Sequence, residues 1–162
     1  MPKRNLDAID RRILRHLQAD ARLSNVGLAE KVGLSPSPCL RRVKSLEDGG
    51  VIRGYATLVD QDAVDLPVSV FVNVALERQV EDNLESFESR ILDCPEVMEC
   101  YLMTGDSDYL LRVVAADLRA YERFLLDHLT RFPGVSSIKS SFALKQVVYR
   151  AALPLETEGG SA

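Results

Sequence analysis

Two short stretches of this chain carry residues whose types and spacing can do chemistry. In the first, Ser37, Arg41 and Lys44 fall at i, i+4 and i+7, the spacing that puts side chains on one face of a helix. A hydroxyl, a guanidinium and an ammonium on one face suit phosphate oxygens and base edges. A solvated basic helix face is the plainer reading. The second is Met103-Thr104-Gly105-Asp106-Ser107-Asp108-Tyr109. Gly105 permits positive φ or close backbone approach, exposed N–H groups in such a turn can hold a carboxylate, and Asp106 or Asp108 can receive an ammonium. Those are the two ends of an α-amino acid. The same residues also suit a plain hairpin turn, in which Asp bonds its own backbone, so the residues alone leave both readings open.

Other chemistries find little support. Cys39, Cys94 and Cys100 are odd in number and not in paired spacing, and His16 and His128 have no ligand-spaced neighbours. They read as reduced thiols and isolated imidazoles rather than disulfides or a metal site. Neither a glycine-rich phosphate loop nor a nucleophile elbow occurs. No enzyme activity, metal or cofactor is therefore expected. There is no run of about 20 apolar residues and no signal-peptide pattern, so a soluble, unexported, cytoplasmic protein without membrane contact is expected.

The elements that must position these residues follow from local signals. Leu6, Ile9, Ile13, Leu14 and Leu17 form a helical stripe after Asp7, a plausible cap, with Asp10, Arg11, Arg12 and Arg15 outside it. Ser24 caps a second helix carrying Val26, Leu28, Ala29 and Val32, which Gly33 ends in a left-handed turn. Ser35 caps a third, with Pro36 at its first position and Pro38 still in the first turn. Leu40, Val43 and Leu46 are its expected core face, and Arg42 and Ser45 flank the basic stripe. This is the grammar of a helix-turn-helix. Charge agrees: residues 1–60 hold 11 Lys+Arg against 7 Asp+Glu, net +4, and residues 61–162 hold 9 against 17, net −8. A basic module joined to an acidic one suits nucleic-acid binding by the first half, because at moderate salt only charge within about 10 Å governs phosphate contact.

Val51 to Val59 reads as β-structure, which after the third helix makes a wing. Arg53 and Tyr55 can touch phosphates from it, though packing is the alternative for Tyr55. Residues 1–60 are thus a winged helix-turn-helix domain and the acidic, proline-closed 61–67 a linker or hinge. Within 68–150 the expected order is βαββαβ: a strand from Val68 to Leu76; a helix bearing Val80, Leu84, Phe87 and Ile91, with Glu81, Asp82, Glu85 and Glu88 outside; strands from Val97 to Met103 and Tyr109 to Ala115; a helix capped by Asp117 with Leu118, Tyr121, Leu125, Leu129 and Phe132 inward; and a bent strand from Val135 to Val148. That is an α+β, ferredoxin-like plan. Apolar sets on both faces of the first strand imply a second subunit as cover. Residues 151–162 form a small polar tail.

Leu34-Ser35-Pro36-Ser37-Pro38-Cys39-Leu40-Arg41-Arg42-Val43 and Gly105-Asp106-Ser107-Asp108-Tyr109-Leu110-Leu111 together resemble the Lrp/AsnC family of bacterial and archaeal regulators. The resemblance runs from about Leu6 to Val148. It implies an effector domain that pairs into dimers through its sheet, dimers that assemble into octamers (tetramers of dimers), and amino-acid effectors bound near the glycine-aspartate turn. Carried over by position, Asn25, Ser35, Ser37, Pro38, Arg41, Arg42, Lys44 and Arg53 would meet double-stranded DNA. Met103, Thr104, Gly105, Asp106, Asp108 and Tyr109 would form the effector pocket, which Leu118, Val135, Ser140 and Ser141 approach from the neighbouring dimer or tune. Apolar Met103, Leu118 and Val135 hint at leucine or methionine. The expectation is a sequence-specific transcription regulator whose assembly or DNA binding answers to an amino acid. The alternative is a constitutive nucleoid-type architectural protein with no such response.

Overall fold

The computed structural model of the protein describes residues 5–77 and 81–155. The chain divides into two compact units, one of the described residues up to Thr57 with 148–155, the other spanning 58–147.

The first unit is built on three helices, α1 (Ala8–Ala19), α2 (Asn25–Val32) and α3 (Pro36–Asp48). Asp7 caps α1 by accepting the Asp10 N–H at 2.8 Å, and Ser24 caps α2 by accepting the Gly27 N–H at 3.1 Å. Gly33 ends α2 at φ 70°, a left-handed conformation that a β-carbon would disfavour. Ile13, Leu28, Ala29, Val32, Cys39 and Leu46 close the core between the helices.

Several expectations change here. Ser35 is the N-cap residue of α3 but makes no side-chain cap bond. The reason is local: Pro36 and Pro38 occupy N1 and N3, so the N3 donor that a capping hydroxyl would take does not exist. Cys39, fully buried, takes the core position expected for Leu40, which is 48% exposed. Asp10, expected outside, is buried, because Arg42 reaches it from α3. No β-ladder forms over Val51 to Val59. Val51 and Ile52 instead return their N–H groups to the Leu46 carbonyl at 2.9 and 3.1 Å, and the exposed residues beyond have no facing strand to pair with. Tyr55 donates to Glu47 of α3 at 2.8 Å. Residues 148–155 belong with this unit rather than the second: Leu153 exchanges hydrogen bonds with Gln18 of α1, and Leu155 packs against the helical core.

The second unit holds β1 (Val68–Leu76), α4 (Glu81–Leu92), β2 (Val97–Leu102), β3 (Tyr109–Ala115), α5 (Leu118–Phe124) and β4 (Val135–Phe142). The sheet is antiparallel throughout, in the order β2-β3-β1-β4. The period-2 alternation of strands divides it into two faces. Val70, Val72, Val74, Tyr109, Leu111 and Val113 pack with Phe87 and Ile91 of α4 and Tyr121 and Phe124 of α5 into one core. Phe87 anchors it, tilted against Tyr109 at 4.6 Å and edge-on at 5.3 Å to Phe132. Asp117 caps α5 through the Ala120 N–H at 2.7 Å.

The last helix is shorter than expected and runs into a π-helical turn, Leu125–Leu129, where the Thr130 N–H reaches back to the Leu125 carbonyl at 2.9 Å. Leu118, expected inward, opens that helix at 63% exposure. The last strand stops at Phe142 rather than at Val148; beyond it the Ala143 N–H still reaches the Ser69 carbonyl of β1 at 2.9 Å. The stretch expected as a linker is folded. A 3-10 turn at Asp62–Val64 is capped by the Asp60 carboxylate, and Gln61 bonds the Leu66 carbonyl, Ser69 and Arg112. Val80 of the expected helix stripe, the side chains of Glu81 and Asp82, and residues 156–162 of the tail lie outside the described residues. No described helix is long and apolar enough to cross a membrane.

Candidate nucleic-acid and effector sites

The outward face of α3 carries Ser37, Arg41 and Lys44, all exposed, with the exposed Leu40 at its edge beside Ser37 and Lys44. Asn25 donates from Nδ2 to the Pro36 carbonyl at 2.8 Å, which ties the start of α2 to the first residue of α3. Pro38 is half-buried, while Ser35 and Arg53 are exposed. Arg42 departs from the expected DNA-facing set. Its Nη1 donates to Asp7 Oδ2 at 2.7 Å and to Asp10 Oδ1 at 2.8 Å. It therefore turns toward α1, since a carboxylate as buried as Asp10 needs a cation beside it. The hydrogen bond from the Asp10 N–H, with Arg42 second, holds the Asp7 carboxyl below its usual range.

In the second unit, Gly105 sits at φ 124° with open space where a β-carbon would be. Backbone conformation rather than crowding selects glycine there. The two aspartates after it part company. Asp106 is exposed, whereas Asp108 is buried and accepts the Leu76 N–H at 2.6 Å, its own N–H going to the Val74 carbonyl at 2.9 Å. Asp108 thus fastens the turn to the end of β1. Tyr109, a further expected pocket residue, points into the helix-covered core and donates to Glu88 at 2.8 Å. Burial first, then Glu88, pushes its phenol well above the ordinary range.

Beside the turn lies a cavity of about 280 Å³ lined by Asn73, Asp106, Ser107, Ser137 and Lys139, near the lower limit for small-ligand sites. Asn73 of β1 pairs with Lys139 of β4, and both stand on the sheet face opposite the helices. Ser107 donates to Asn73 Oδ1 at 3.1 Å. A carboxylate, an ammonium and two hydroxyls lining one small cavity can hold a zwitterion. Of the expected pocket residues only Asp106 lines it. Met103, Thr104 and Gly105 are exposed in the turn, Leu118 lies on α5, Val135 begins β4, Ser140 bonds the Tyr121 hydroxyl on the helix side, and Ser141 faces the open side. Ser107 lies in the stretch singled out from the sequence, whereas Asn73, Ser137 and Lys139 were not expected there, although alternation along Val135 to Phe142 already puts residues 137 and 139 on one face. Among the described residues no group of three or more His, Cys, Asp or Glu is placed to hold a metal ion.

A three-helix module with a basic recognition face and a ferredoxin-like α+β domain define a helix-turn-helix regulator with a ligand-binding domain. The family models agree: residues 6–53 match "Winged helix-turn-helix DNA-binding" and residues 69–153 match "Lrp/AsnC ligand binding domain". The chain is 55% identical over 150 residues to the Bkd operon transcriptional regulator of Pseudomonas aeruginosa, covering 93% of this chain and 98% of that one. It is 41% identical over 156 residues to the leucine-responsive regulatory protein of Escherichia coli K12, covering 96% and 95%. Among solved structures, the Neisseria meningitidis transcriptional regulator NMB0573 in complex with L-Met superposes with a TM-score of 0.87 at 44% identity, over 93% of this chain and 97% of that one. The chain belongs to the Lrp/AsnC family. It is a DNA-binding transcription regulator with an amino-acid ligand-binding domain, and its relatives are regulators rather than enzymes.

Proposed function

We propose that the protein binds double-stranded DNA through the outward face of α3 and answers to a small apolar amino acid held beside the Gly105 turn. The observation that carries the effector half is the cavity that brings Asp106 and Lys139 together with Asn73, Ser107 and Ser137. The effector ammonium meets Asp106 and its carboxylate meets Lys139 and the serine hydroxyls, each a charge-assisted contact. Leucine or methionine is the effector. Methionine gains weight from the L-Met complex of the Neisseria regulator, leucine from the name of the E. coli relative. On the DNA side the reading keeps Ser37, Arg41 and Lys44 as groove and phosphate contacts, with Asn25, Ser35, Pro38 and Arg53 around them, and drops Arg42.

The open sheet face carries Phe71 at 39% and Tyr101 at 52% exposure. In this reading it pairs with a second copy of the chain, and such dimers build the octamer. An effector shifts assembly or DNA binding only as far as it prefers one arrangement. A tenfold preference needs about 1.4 kcal/mol, within reach of one such contact.

A thermal-shift screen of the full chain against each common amino acid at millimolar concentration tests this. A ligand at 100 times its Kd adds about 2.7 kcal/mol. A selective shift with leucine or methionine, lost in Asp106→Asn and in Lys139→Gln, is expected. A shift that survives both variants removes the cavity from the site. No shift with any amino acid favours the constitutive architectural protein.

A further inference from the structure

We infer that Leu40 reads the C5-methyl group of a thymine in the DNA major groove, as the apolar member of the recognition face. This rests on the proposed use of α3 as the recognition helix. Helical spacing alone puts Leu40 in the core with Val43 and Leu46. The structure gives the core position to Cys39, 0% exposed, and leaves Leu40, a little over a quarter-turn further round the helix, 48% exposed at the edge of the outward face. It lies three residues after Ser37 and four before Lys44, so it adjoins both on the surface of α3, on the same N-terminal half of the helix as Arg41. In a helix-turn-helix the N-terminal residues of the recognition helix meet the base edges, so Ser37, Leu40 and Arg41 share the reading position.

Their chemistries differ in what they can read. Arg41 donates in a fork that matches guanine O6 and N7, and Ser37 bonds to either kind of edge. Leu40 has neither donor nor acceptor. The apolar group a base pair offers in the major groove is the thymine methyl. Packing the isobutyl group against it removes two apolar surfaces from water together. Against a cytosine amino group the same side chain would strip water from a donor and return no hydrogen bond. Leu40 therefore selects by attraction to one base and by penalty against another, where a lysine or serine at its position would tolerate both.

The test uses the full chain. Its preferred duplex is first selected from a random library, and each thymine is then replaced in turn by uracil, which deletes only the methyl. Wild-type protein should lose about fourfold in affinity at one position per half-site, the worth of one buried methylene-sized group. Leu40→Ala should bind the thymine and uracil duplexes equally there while keeping its other preferences. Leu40→Gln should turn that position toward adenine, whose N6 and N7 a glutamine amide matches. Wild type indifferent to every replacement overturns the inference, as does a Leu40→Ala protein that keeps the thymine-to-uracil ratio. A library that yields no preferred duplex overturns the DNA-reading proposal itself, which separates the two failures.

Discussion

Replacing Arg42 with methionine should destabilise the helical unit while leaving the electrostatics of DNA binding intact. The guanidinium joins α3 to α1 through Asp7 at 2.7 Å and Asp10 at 2.8 Å. The Asp10 side chain is 6% exposed and that of Arg42 33%. Removing one partner of a fully buried pair costs about 3–5 kcal/mol, and an exposed pair is worth about 0–1. One buried and one partly exposed member put the loss between these, at about 2–3 kcal/mol. For a domain of this size each kcal/mol lowers Tm by about 4–8 °C, so a fall of about 10–20 °C is expected in the helical transition followed by circular dichroism. A double-mutant cycle with Asp10→Asn isolates the pair and should return coupling above about 1 kcal/mol. The second readout is the slope of log affinity against log salt. A phosphate contact contributes about one unit to it, so Arg41→Ala should flatten the slope by about one while Arg42→Met should not. An Arg42→Met protein with unchanged Tm and a slope flattened by about one would refute the reasoning and return Arg42 to the DNA.

Three further outcomes are expected. The lowered pKa of Asp7 means its stabilisation is complete above the unfolded carboxylate range near 4 and is lost as pH falls through the lower folded value. The stability gap between wild type and Asp7→Asn, in which asparagine still caps, should close on acidification below about pH 4; a gap unchanged down to pH 2.5 contradicts this. Desolvation first, then Glu88, pushes the thiol of the otherwise exposed Cys100 up to about 11, so its alkylation should be slow at pH 8 and accelerate toward pH 11. Fast labelling at neutral pH, measured by mass spectrometry, would show the thiol is not so held. Finally, Phe71→Glu puts a charge on the open sheet face and should dissociate the proposed dimer in sedimentation; an unaltered assembly places the subunit contact elsewhere.

The sequence by itself determined what is decided within a few residues. Asp7, Ser24 and Asp117 cap helices because donor and acceptor lie three positions apart along the chain. Gly33 ends α2 and Gly105 turns the chain because only local backbone conformation is at stake. Alternation marked Val68–Leu76 as a strand, which pairs with Tyr109–Ala115. The missing cap bond at Ser35 ran against the sequence expectation, although Pro38 has no N–H to give. Tertiary structure decided the rest. Cys39 and Leu40 sit side by side at the edge of the helical stripe, and only the packing of α1 and α2 chose which turned inward. Arg42 was drawn from the DNA-facing set by a carboxylate 32 residues away. Asp108 was taken by the Leu76 N–H and Asp106 left to solvent, a choice that near-identical neighbours in sequence cannot reveal. The cavity joins β1, the turn and β4 across more than 60 residues. Caps and alternation need only neighbours on the chain; partners and cavities need two distant segments at a fixed distance, and packing alone sets that distance.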